Sequence, residues 1–126
     1  MPQLLIFGHT GQVASELERL PLPAGWTRHF AGRAQADLSD HAAVRRVIEK
    51  IDAAVVINVA AYTAVDRAES EPAVCFAVNR DASAVMAQAC AAKGIPLLHQ
   101  STDCVFDEQK NAPYCTLPAH TSRACA

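Results

Sequence analysis

The chain has 126 residues, 51% of them hydrophobic, which suffices for one small domain with a real core and leaves no length for a second. Its 11 basic and 13 acidic residues are interspersed, for a formal charge of -2, so there is no basic stripe for nucleic acid and no polybasic patch for a membrane. No charged amino-terminal region precedes a long apolar run, and every apolar stretch is too short to cross a bilayer, so a soluble, cytoplasmic protein is expected.

Taken in chain order, Leu4-Leu5-Ile6-Phe7-Gly8-His9-Thr10-Gly11-Gln12-Val13-Ala14 reads as a buried strand, a glycine turn and the start of a helix over residues 12–20. Gly8 can take the positive φ of a tight strand-to-helix turn, and Gly11, lacking a Cβ, lets backbone N–H groups approach a pyrophosphate. Ala14 is small enough for the helix to pack on the strand. Unpaired amides and the positive end of the helix dipole make such a helix start a phosphate site. A plain loop before an amphipathic helix shares the G-x-x-G-x-x-A spacing, so the glycines alone do not decide.

A breaker cluster over residues 21–25 leads to a short second strand, residues 27–31, that ends at Gly32-Arg33. In dinucleotide folds an acidic residue at this place binds the ribose 2′-hydroxyl, whereas arginine suits a 2′-phosphate. With Arg33 here the cofactor expected is NADPH, with NADH as the alternative; a solvated arginine at a strand end reads equally well. Asp37-Leu38-Ser39-Asp40 follows, with Ser39 or Asp40 able to cap a helix marked by Val44, Val47, Ile48 and Ile51.

Residues 54–61 are apolar on both faces apart from Asn58, as in a central parallel strand covered by helices. Beyond them Ala60-Ala61-Tyr62-Thr63 offers small residues where backbone can approach a ligand, then two hydroxyls, one within reach of a ribose. An ordinary strand-to-helix connection is the alternative. A helical turn over residues 66–70 precedes a long helix from Pro72 to about Lys93, with Val74, Val78, Ala82, Val85 and Ala89 on one face and Cys75, Met86 and Cys90 flanking it as core positions.

Gly94 is a good carboxyl-terminal cap, and residues 95–100 read as a fourth strand in which His99 is expected to be a hydrogen-bonded core histidine. Five cysteines without a C-x-x-C pair point to buried or incidental thiols rather than disulfides or a metal site. The alternation predicts an α/β fold, a Rossmann-type parallel sheet with helices on both faces, truncated after about four strands. Residues 1–106 form the expected NAD(P)-binding domain and residues 107–126 an irregular tail. Ligands of such sheets bind at the strand carboxyl ends, where the glycine turn, Arg33, residues 60–63 and Ser101-Thr102-Asp103 all fall.

Three runs carry a family resemblance: Leu5 to Val13, Asn58 to Pro72, and Ser101 to Phe106. Their order and spacing closely resemble the dTDP-4-dehydrorhamnose reductase family of extended short-chain dehydrogenases/reductases, over roughly residues 3 to 114. The resemblance implies that Gly8, Gly11, Gln12 and Val13 hold the pyrophosphate and that Asp37 and Leu38 face the adenine. It implies that Ala60, Ala61, Tyr62, Thr63 and Gln100 line the cofactor path, and that Thr102 hydrogen-bonds the substrate carbonyl with Asp103 beside it. The implied reaction is hydride transfer from NAD(P)H to the C4 ketone of a dTDP-linked 6-deoxysugar, yielding dTDP-L-rhamnose. Some members use Mg²⁺; Glu16 matches a carboxylate implicated there, but a helix-surface glutamate explains it as well, and no metal is expected.

The chain also departs from the family. A Tyr-x-x-x-Lys pair, in which tyrosine donates a proton to the developing alkoxide and lysine lowers its pKa, is absent: four residues after Tyr62 and Tyr114 stand Asp66 and Pro118. Cys104 stands where the family usually has tyrosine and Glu108 where it has glycine, and residues 115–126 show no likeness to it. The expectation is a truncated and inactive reductase copy whose uncovered apolar edge and face favour aggregation, a partner or a homodimer. A non-catalytic NAD(P)-binding or regulatory module is the alternative, and an epimerase or dehydratase of the same superfamily a third reading.

Overall fold

The computed structural model describes residues 1–102 and 109–113, and within them β1 (Gln3–Phe7) runs through the turn at Gly8 into α1 (Gln12–Arg19). There follow β2 (Thr27–Ala31), α2 (His41–Lys50), β3 (Val55–Asn58), α3 (Val65–Ser70), α4 (Pro72–Phe76), a π-helical turn (Ala77–Asp81), α5 (Ala82–Lys93) and β4 (Leu97–His99). All pairings are parallel and the spatial order is β2-β1-β3-β4, with Leu5 beside His29 on one side and Val56 on the other, and Ile57 beside Leu98.

That order explains which faces are covered. The chain leaves β1 in one direction to reach β2 and travels the other way from β2 to β3 and from β3 to β4. Right-handed crossovers therefore put α1 on one face and α2 and α5 together on the other. On the second face Leu5, Phe7 and Val56 join Val44, Ile48, Ala82, Met86, Ala89 and Cys90 in one buried cluster. Ile6 alternates to the first face, where Ala14 is the buried residue of α1. Beyond α1 no described helix covers that face: Val55 and Ile57 are half-buried and Leu98 is 59% exposed.

Charged side chains close two helix ends. The Arg28 guanidinium of β2 donates to the carbonyls of Leu17, Glu18 and Leu20, and Lys93 Nζ donates to Ile48 O at 2.9 Å and Ile51 O at 2.8 Å. Each puts a cation where the last carbonyls of a helix point. At the other end of α2 Asp40 is the cap, its carboxylate accepting from Ala43 N at 3.0 Å, while Ser39 turns to Asp37 instead.

Several local expectations differ from the structure. The third strand stops at Asn58, because Ala60 N turns from the ladder to Asn58 Oδ1. The fourth begins at Leu97, since Pro96 has no N–H to give and contributes only its carbonyl, which accepts from Val56 N. The long helix is interrupted by the π-helical turn, and its buried stripe includes Cys75, Val78, Ala82, Met86 and Ala89, leaving Val74 44% exposed.

His99 is exposed, although its Nδ1 accepts from Asn58 Nδ2 at 3.1 Å. Cys75 is buried and disulfide-bonded, where the sequence suggested a buried or incidental thiol. Cys90 is free and buried, and burial pushes its thiol pKa up. Among the described residues no helix is long and apolar enough to cross a membrane.

Candidate functional site

Because β1 and β3 are neighbours whose connections leave in opposite directions, a crevice must open between their carboxyl ends. Gly8 stands on one lip at φ +105°, its N–H donating to Ala31 O at 3.1 Å. On the other lip are Ala60 and Ala61. The approach is close: a Cβ on Gly8 would lie 3.2 Å from Val59 Cγ2 and 3.4 Å from Ala60 N.

A cavity of about 540 Å³ occupies this place, running from Gly8, His9 and Thr10 past the end of β2 to Arg33, with Ala36, Asp37 and Leu38 beneath and Ala60 and Ala61 opposite. The start of α1 lies beside it. Gly11 is the helix cap in extended conformation (φ -77°, ψ 167°), with no side chain capping the amides that follow and nothing within 4 Å of where its Cβ would be. Gln12 and Val13 are exposed. Open N–H groups at the positive end of an eight-residue helix can bind an anion.

The far end of the cavity is polar. Arg33 has an 86% exposed side chain, and its Nε lies 3.7 Å from Asp37 Oδ2. Asp37 Oδ1 accepts from Ser39 Oγ at 2.6 Å and from Ser39 N at 2.9 Å. The hydroxyl bond, then the amide bond and lastly the Arg33 charge hold this carboxyl below the usual aspartate range. Its negative charge lies beside the Arg33 guanidinium. The imidazole of His9 rests on the Phe30 ring, with centroids 5.3 Å apart.

Thus the structure brings Gly8, Arg33, Asp37, Leu38, Ala60 and Ala61 to one cavity wall, with Gly11, Gln12 and Val13 at the adjacent helix start. Tyr62 and Thr63, expected on the cofactor path, do not line this cavity. Tyr62 packs on the core with its hydroxyl donating to Glu71 Oε2 at 2.7 Å, and Thr63 is exposed with its carbonyl accepting from Val65 N. Gln100 N donates to Asn58 O at 3.0 Å, which keeps Gln100 and the exposed Thr102 at the same carboxyl edge of the sheet.

Asp103, Cys104, Glu108 and residues 114–126 lie outside the described residues. Glu16 pairs with Arg19 at 2.9 Å on the exposed face of α1, and no group of three metal-ligating side chains occurs among the described residues.

His9 and Asn79 are not among the sequence-predicted site residues, and Val78, read as a core position, also lines the cavity. The signal for His9 was present: if β1 and β2 pair in parallel, the residues after Phe7 and Ala31 must be neighbours. Asn79, which binds the Tyr62 backbone, gives no such local sign.

Comparison with known proteins agrees with this geometry. The chain is 42% identical over 113 residues to the dTDP-4-dehydrorhamnose reductase of Sinorhizobium fredii, covering 90% of this chain and 38% of that one. It superposes on the crystal structure of a dTDP-4-dehydrorhamnose reductase from Clostridium acetobutylicum with a TM-score of 0.86 and 26% identity, covering 95% of this chain and 43% of that one. With the Bacillus anthracis dTDP-4-dehydrorhamnose reductase, solved in complex with NADP, the TM-score is 0.80 at 27% identity, covering 87% and 40%. The chain therefore spans about two-fifths of the length of these relatives. A model of the RmlD substrate binding domain matches residues 2–120, a stretch that here contains the parallel sheet and its glycine turn, and the chain belongs to that family.

Proposed function

We propose that this chain is the coenzyme-binding part of an NAD(P)H-dependent dTDP-4-dehydrorhamnose reductase. One observation carries the reading: the glycine turn, Arg33 and the Ala60–Ala61 wall all open on a single cavity at the switch point of the sheet, and the uncapped start of α1 follows directly on its Gly8–Thr10 lip. The NADP complex of the Bacillus anthracis relative supports it. The amides after Gly11 would hold the diphosphate, with Gly8 allowing close approach. Asp37 and Leu38 would face the adenine, and Arg33 would receive a 2′-phosphate, favouring NADPH over NADH.

When bound, the coenzyme supplies hydride to the C4 ketone of dTDP-4-dehydro-L-rhamnose. By the family resemblance Thr102, at the same edge, would donate a hydrogen bond to that carbonyl, with Asp103 next to it in sequence. Reduction also needs a proton at the carbonyl oxygen, and no Tyr-x-x-x-Lys pair is present in the 126 residues to deliver it. Loss of a positioned acid removes about 10²–10⁴ in rate, so this chain by itself should bind coenzyme and turn over negligibly.

Calorimetric titration with NADPH and with NADH, alongside a turnover assay with dTDP-4-dehydro-L-rhamnose, tests the proposal. Saturable binding that is tighter for NADPH, without turnover, is the expected result. Absence of binding to either dinucleotide overturns the coenzyme reading, and rapid turnover overturns the assignment of the proton donor.

A further inference from the structure

The backbone between β3 and α3 has few ladder bonds, yet it forms one wall of the coenzyme cavity. It is fastened at two points. At the near end Ala60 N donates to Asn58 Oδ1 at 3.1 Å, from a side chain 1% exposed. At the far end Tyr62 is gripped by three bonds: its N–H donates to Asn79 Oδ1 at 2.8 Å, its carbonyl accepts from Asn79 Nδ2 at 3.1 Å, and its hydroxyl donates to Glu71 Oε2 at 2.7 Å. Glu71 is itself held by Arg67 Nη2 at 3.0 Å, and it sits at the junction where α3 ends and α4 begins.

We propose that Glu71 is a positioning residue for coenzyme binding: by accepting the Tyr62 hydroxyl from the α3–α4 junction, it holds the Ala60–Ala61 wall at the distance from Gly8 that the dinucleotide requires. The inference rests on the coenzyme reading above. It also gives Tyr62 a role that differs from lining the cofactor path, since its hydroxyl is turned to the helix junction and Ala60 and Ala61, not Tyr62, line the cavity. The tolerance is narrow. With Val59 Cγ2 and Ala60 N already within 3.4 Å of a Cβ position on Gly8, a wall that moves inward closes the crevice and one that moves outward loses contact with the ligand. The Tyr62 hydroxyl first and Arg67 next hold the Glu71 carboxyl below its usual range, and the same bond raises the phenol.

The test uses Tyr62→Phe, Glu71→Ala, Glu71→Gln and the Tyr62→Phe/Glu71→Ala pair in the full chain. Tyr62→Phe and Glu71→Ala should each weaken NADPH binding by roughly three- to tenfold, and the pair should be no worse than either alone. Glu71→Gln, which keeps an acceptor for the hydroxyl, should restore most of the affinity. Additive losses in the pair, or singles that bind as the parent does, overturn the proposal. Hydrogen exchange at the Ala60 and Tyr62 amides gives a readout without coenzyme: it should quicken in Glu71→Ala and recover in Glu71→Gln. If the parent chain binds no NADPH the functional reading fails, whereas unchanged exchange in Glu71→Ala refutes the positioning role by itself.

Discussion

Replacing each glycine of the turn by alanine should separate folding from binding, because the two stand in different surroundings. At Gly8 the backbone has φ +105°, a conformation costing an L-residue about 1–3 kcal/mol. The added methyl would also meet Val59 Cγ2 at 3.2 Å and Ala60 N and Cβ at 3.4 Å, contributing roughly another 1 kcal/mol of overpacking. At about 3–6 °C per kcal/mol, between the values for 60–100 and for 150–250 residues, Gly8→Ala should lower Tm by about 10 °C. Gly11 has φ -77° and ψ 167°, open to any residue, and no atom within 4 Å of its Cβ position. There the poorer capping by alanine, about 0.5–1 kcal/mol, is offset by a gain of about 0.4–1 kcal/mol from the stiffer unfolded chain, so Tm should hardly move. The methyl nonetheless stands where a diphosphate must approach the helix amides, and NADPH affinity should fall roughly tenfold or more. Thermal denaturation by circular dichroism and titration of NADPH fluorescence measure the two effects. A Gly11→Ala chain that binds like the parent, or a Gly8→Ala chain equally stable, would refute the reasoning.

Other outcomes follow from single contacts. Arg33→Ala should cost NADPH roughly tenfold in affinity and leave NADH within about twofold if the guanidinium meets only the 2′-phosphate, as proposed; equal losses for both would show that Arg33 does not read that group. Asn58→Ala leaves the Ala60 N–H without its acceptor beneath a buried position and should cost about 2–3 kcal/mol in urea unfolding at unchanged m value. The Asp37 carboxyl is held below its ordinary range in the folded chain, so its contribution is complete above that range and lost as pH falls through the folded value. Tm should therefore drop on acidification below about pH 4, and Asp37→Asn should lower Tm in the neutral region, where that contribution is complete, and flatten the acid limb. Leu98 is 59% exposed on the sheet face that no described helix covers beyond α1, and Leu98→Glu should reduce self-association in sedimentation velocity; a parent chain that is monomeric at the same concentration would remove the basis for this.

How far the sequence alone reached depends on the range of the interaction concerned. The turn at Gly8, a cap for α2 at Ser39 or Asp40, the end of α5 at Gly94 and the strand-helix alternation are decided by neighbours a few residues apart, and each is legible; the structure chose Asp40. Parallel pairing then followed from crossover length, and it brought Arg33 and Ala60 to the Gly8 turn without any knowledge of side-chain contacts. Tertiary structure decided the rest. Asn79 reaches Tyr62 across 17 positions, His41 Nε2 donates to Ala77 O in the π-helical turn across 36, and Asn58 meets His99 across 41. Such pairs exist only after the crossovers have packed, so no local pattern marks them. For that reason the sequence by itself determined which turns meet at the carboxyl edge of the sheet, whereas only the packed structure decided that the Tyr62 hydroxyl turns to Glu71, away from the cavity wall formed by Ala60 and Ala61.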